Sequence, residues 1–132
     1  MEITCKSNSG RDLSKKFLSS GYTPKTEFNL HVNNNYNVYG ICIYDDMLYY
    51  LIVPTVSSPP SWYPVELFDV YDSSLPMEWY FNYYPNGNRA GVSAIWGYKE
   101  LVEDEDHYIA LIERNRKAMN IFLKRKEELD TL

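Results

Sequence analysis

The hydrophobic pattern of this chain changes period at Tyr98, and that change limits the possible folds more than any other feature. Downstream, Leu101, Tyr108, Leu111, Ile112, Ala118, Met119, Phe122 and Leu129 recur at three-to-four spacing, with no Pro or Gly among them. This is the pattern of an amphipathic helix, predicted over about residues 104–128 with a short helix before it. Glu103-Asp104-Glu105-Asp106 at its start and Lys124-Arg125-Lys126 near its end complement the helix dipole. Upstream the pattern has period two. Thr26–Val32 places Phe28, Leu30 and Val32 on one side, as a half-buried strand does. Tyr36–Tyr44 and Met47–Val53 flank Asp45-Asp46 and read as an antiparallel hairpin. Gly40, inside the first of these runs, implies a bulge or a close backbone approach. A helix with one apolar stripe must bury it, and these strands supply the surface. The predicted fold class is therefore α+β: a small antiparallel barrel-like sheet packed by a long C-terminal amphipathic helix.

The rest of the chain fits around that pair of elements. Residues 1–25 are broken by Ser, Gly and Pro and read as an irregular lead-in, with a short helical turn over Asp12–Leu18. Pro59-Pro60-Ser61-Trp62-Tyr63-Pro64 leads into a predicted strand over Val65–Tyr71, and Pro64 marks an edge or a strand start. Met77–Tyr84 and Gly91–Gly97 read as two more strands around the turn Pro85-Asn86-Gly87-Asn88. Length predicts a single domain over 1–132, with 26–97 mostly strands and 98–130 helical.

Composition excludes several classes of function. The formal net charge of -5 disfavours nucleic acid and anionic membrane surfaces as partners. No apolar run approaches the ~20 residues of a membrane span, and the N-terminal residues lack a signal peptide's apolar core. Cys5 and Cys42 are too few for a disulfide framework and have no metal-ligand spacing. A cytoplasmic protein with reduced thiols is expected, as a monomer or homodimer.

The chemistry of catalysis is sparsely represented. His31 and His107, the two histidines, read as solvent-exposed. No Ser or Cys has the strand-turn-helix context of an activated nucleophile. The acidic run before His107 lacks the alternating spacing of a calcium loop. Asn86–Gly91 has no phosphate-loop motif, although Arg89 within it offers an anion contact. Neither a cofactor nor a metal is expected, and the protein does not read as an enzyme.

Aromatic content stands apart: 16% of residues, including 13 Tyr. Trp and Tyr combine large contact area with low entropy cost and dominate binding hot spots. Trp62, Tyr63, Pro64, Trp79, Tyr80 and Tyr83 are the candidate binding residues. The segment Trp62-Tyr63-Pro64-x-x-x-Phe68-x-Val70-x-Asp72, with several strands and a mid-strand Gly, resembles the third Src-homology domain over Thr26–Asp72, as in a bacterial family of small barrel-like proteins. That resemblance implies a barrel whose peptide groove is lined by Trp62, Tyr63 and Pro64, with Tyr36 or Tyr39 beside them. The function expected is non-enzymatic protein binding through an aromatic, acid-rimmed surface, with a basic or proline-containing partner, in one version an immunity-type protein. The alternative is a small-molecule or nucleotide binder with an aromatic pocket between sheet and helix, edged by Arg89, Glu66 or His107.

Overall fold

The computed structural model of the chain describes residues 1–131. In chain order it forms β1 (Glu2–Cys5), α1 (Lys15–Leu18), β2 (Asn35–Asn37), β3 (Gly40–Tyr44), β4 (Met47–Ile52) and β5 (Ser61–Pro64). These are followed by β6 (Phe68–Asp72), β7 (Tyr80–Tyr83), β8 (Val92–Gly97), α2 (Lys99–Glu103), α3 (Glu105–Ile112) and α4 (Arg116–Asp130). The strands make two antiparallel sheets, a small one ordered β2-β1-β6 and a large one ordered β5-β4-β3-β8-β7. The α+β class is as expected. Among the described residues neither sheet closes on itself, so no closed barrel forms.

The reason lies in the run Tyr36–Tyr44, which reads in the sequence as one strand. It divides at Val38-Tyr39: β2 pairs with β1 in the small sheet, and β3 pairs with β4 and β8 in the large one. The lead-in supplies the partner, since β1 buries Ile3 and Cys5 completely. Thr26–Val32 is not a strand. Its backbone is tied to the lead-in loop instead: the Gly10 amide donates to the Thr26 carbonyl, and the Phe28 amide to the Asn8 carbonyl.

The β3–β4 hairpin forms as predicted. Asp45 and Asp46 both adopt left-handed backbone, φ 52° and 59°, the twist a two-residue hairpin turn requires. The predicted strand Val65–Tyr71 begins only at Phe68, because Val65–Leu67 is a single 3₁₀ turn. Its expected lead-in is itself β5, an edge strand ending at Pro64. Pro64 thus sits where a missing N–H is tolerated.

The helical region is broken where one long helix was expected. Asp104 is extended and caps α3, its carboxylate accepting from the Asp106 and His107 amides. Arg114 turns left-handed at φ 62°, and Asn115 caps α4 by accepting from the Lys117 and Ala118 amides. α2 sits very close to the sheet. Gly40 and Gly97 lie opposite each other across β3 and β8, and a Cβ on either would meet Leu101 Cδ2 at 2.5 or 2.7 Å. The two glycines form a notch that Leu101 fills. Further along, Phe122 of α4 packs edge-on against Tyr39 and also against Tyr98. The small sheet packs on the large one through Phe68, which touches both Tyr36 and Tyr50. Among the described residues, no helix is long and apolar enough to cross a membrane.

Candidate functional site

The register of the large sheet assigns each side chain to a face, because residues directly opposite in an antiparallel ladder project the same way. Trp62 lies opposite Leu51, and Tyr49 opposite Cys42, on the face that carries the helices. Tyr63, Tyr50, Ile41, Trp96 and Phe81 lie in one row on the other face.

On the helical face, α3 stands off the sheet and leaves a cleft of about 590 Å³. Its floor is Cys42, Tyr44, Tyr49, Leu51 and Trp62, and its roof is Tyr108, Leu111 and Ile112. Ser20 and Tyr22, from the turn after α1, close one end. The Trp62 and Tyr108 rings meet at 5.8 Å between centroids, joining floor to roof. The other end is built by Arg114. Its guanidinium donates to the carbonyls of Pro60 and Leu111 and to Ser61 Oγ, fastening the corner between α3 and α4 to the start of β5.

The interior of the cleft is uncharged. Burial pushes the Cys42 thiol up to about 12, with the Tyr108 hydroxyl beside it opposing the shift. Burial also pushes Tyr49 up to about 12, reinforced by neighbouring Tyr22. Tyr108 is raised further by burial and by Cys42, and Tyr22 is raised by burial. All four keep their protons at neutral pH. Charge is confined to Asp45, Glu113 and Arg114, all exposed at the rim. The indole N–H of Trp62 is shut off from solvent and has no hydrogen-bond partner among the described residues. A buried donor of this kind costs about 1–3 kcal/mol until something accepts from it.

The six candidate binding residues do not form one patch. Trp62 lines the cleft at the β5 edge, while Tyr63 is buried on the other face of the sheet and Pro64 is buried opposite Tyr49. Trp79 and Tyr80 lie at the opposite edge, in a groove that also includes Arg125 and Leu129 of α4. Tyr83 is on the outer face, in a row with Ala94, Ile43 and Leu48. The two edges are the opposite ends of the large sheet, β5 and β7, so a single aromatic surface joining Trp62 to Tyr83 is ruled out.

The remaining candidates have structural partners. His107 is buried, not exposed: its Nε2 lies 2.6 Å from the Tyr98 hydroxyl, and burial lowers its pKa. It is buried because α3 turns this position toward the sheet. His31 is exposed. Arg89 is paired with Glu105 at 2.8 Å and Asp106 at 2.6 Å. Glu66 accepts from the Ser14 amide. None of Arg89, Glu66 and His107 lines the cleft. Among the described residues no group of three or more His, Cys, Asp or Glu is placed to hold a metal.

The residues missed by sequence reasoning are Tyr22, Tyr44, Tyr49 and Tyr108. Each reads as one more tyrosine in a tyrosine-rich chain. Only the hairpin signal hinted that Tyr44 and Tyr49 share a face. No family model, curated protein or solved structure matches this chain.

Proposed function

We propose that this protein binds a small molecule in the cleft between the large sheet and α3. The observation that carries the reading is the cleft itself: apolar and aromatic walls, several tyrosines in the lining, and a volume in the range of small-molecule sites. The role proposed is binding without catalysis. Cytoplasmic placement belongs to the same proposal.

A thermal-shift screen of a fragment library tests it, with wild type beside Ile112→Trp. Ile112 is half exposed at the cleft mouth, so an indole there obstructs the cleft without disturbing the core. Fragments that stabilise the wild type are expected to lose their effect in the variant. Equal stabilisation of both proteins, or no stabilising fragment, contradicts the reading.

The second reading is protein docking, favoured by the outer face of the large sheet. There Phe81 is 55% exposed and Tyr83 59% exposed, and Phe81 rests on Trp96 at 4.9 Å. Ile43 and Leu48 extend the apolar rows toward the acidic Asp45-Asp46 turn, which suits a partner with basic residues at its rim. A barrel-like packing of the two sheets, as in a Src-homology-type domain, and an immunity-type role both belong to this reading. Phe81→Ala/Tyr83→Ala would abolish partner capture under it, and unchanged capture would remove it.

A further inference from the structure

The lining of the cleft also bears on the chemical class of its ligand, given the proposal above that the cleft binds a small molecule. We infer that the cleft selects an uncharged, planar aromatic heterocycle that carries a hydrogen-bond acceptor. Three observations converge on this class.

The first is the balance of donors. The indole N–H of Trp62 can only donate, and it has no acceptor among the described residues. The hydroxyls of Tyr22, Tyr49 and Tyr108 already pair with Tyr49, Ser20 and Cys42 of the same lining, which leaves the indole as the unpaired donor. With a small turn of the indole toward the cleft, a ligand carbonyl or ring nitrogen would supply the acceptor that Trp62 lacks.

The second is the absence of a counter-charge inside. Taking a phosphate or an ammonium out of water without a buried partner costs several kcal/mol. The one guanidinium, Arg114, already donates to Pro60, Leu111 and Ser61, and Glu113 is its chain neighbour. Asp45 adds a second rim carboxylate, so the lining offers a polyphosphate no net positive charge to offset its desolvation. This narrows the expectation of a nucleotide to its base-like part. A cation gains from aromatic faces, but both carboxylates are exposed and screened, so they do not offset its desolvation.

The third is shape. The walls are ring faces and branched aliphatic side chains: Trp62 and Tyr108 where floor meets roof, with Leu51 and Leu111 beside them. Flat rings gain most from such walls by offset or edge contact.

The test uses the indole N–H resonances of the intact protein. Its three tryptophans give three signals, and Trp62→Phe assigns that of Trp62. Caffeine, quinoline and benzamide are the neutral acceptor probes, adenosine diphosphate the anionic probe, and benzyltrimethylammonium the cationic probe. The expected result is a saturable shift of the Trp62 signal with at least one neutral probe, roughly tenfold tighter than with either charged probe. Trp62→Phe keeps an aromatic wall but removes the donor, and is expected to weaken that binding, measured by thermal shift. Should the variant fail to fold, Tyr108→Phe removes a donor from the roof and serves the same comparison. Saturation by a charged probe with no response to the neutral ones overturns the ligand class and leaves the binding cleft standing. No response of Trp62 to any probe overturns both.

Discussion

The glycine notch under Leu101 allows a quantitative test of how the helices are seated on the sheet. In Gly40→Ala the new Cβ would lie 2.5 Å from Leu101 Cδ2 and 3.3 Å from Trp62 Cη2. The Leu101 methyl group is the end of a flexible side chain, but the residue is only 2% exposed and has little room to turn. Overpacking of this kind costs about 1–3 kcal/mol. Leu101→Ala alone opens a cavity and costs about 2–5 kcal/mol. In the double variant the alanine Cβ occupies part of the space that Leu101 vacates. The two effects should therefore fall short of additivity by about 1 kcal/mol or more. Urea unfolding of the four proteins, compared at a common m-value, measures the coupling. Additivity within about 0.5 kcal/mol would mean that Leu101 does not fill the notch, and would refute this explanation of why α2 lies so close.

Two further predictions concern His107 and the hairpin. Burial depresses the folded-state pKa of His107 below its ordinary 6.5, so its contribution to stability is complete above 6.5 and is lost as pH falls through that value toward the folded pKa. Urea unfolding at pH 7.5 and 5.5 should show a smaller loss in His107→Gln, which keeps a polar partner for Tyr98 without a titrating ring; equal losses would contradict a buried neutral histidine. Replacing Asp45-Asp46 by Asn-Gly should raise stability by about 0.5–1 kcal/mol, because that pair suits two left-handed residues in a two-residue turn; a lower thermal midpoint would count against the turn geometry.

Local signals carried most of the elements but few of the boundaries between sheets. The hairpin was legible because Asp45-Asp46 lies between two β-branched and aromatic runs. Gly40 was legible as a close approach, and the structure supplies the approaching side chain, Leu101. The division of Tyr36–Tyr44 was hidden, since nothing local to Val38-Tyr39 marks the point where the chain changes sheets. β1 was hidden because its alternation covers only four residues. The helix breaks at Asp104 and Asn115 were readable in principle as caps, but both residues sit within an unbroken apolar period. For the site, Trp62 was legible as a large aromatic beside a proline turn. The tyrosines around it were not, because their convergence depends on β3, β4, α3 and the turn after α1 meeting in space. Tyr63 and Pro64 show the opposite failure: adjacent in sequence to Trp62, they belong to the interior.

Whether the cleft beneath α3 is the binding site can be seen in a crystal structure of the protein with the strongest stabilising fragment. The fragment is expected in the cleft beside the Trp62–Tyr108 contact, with an acceptor within hydrogen-bond distance of the Trp62 indole N–H. A fragment seated instead on Phe81 and Tyr83, with the cleft empty, would contradict the cleft as the site and favour the outer sheet face.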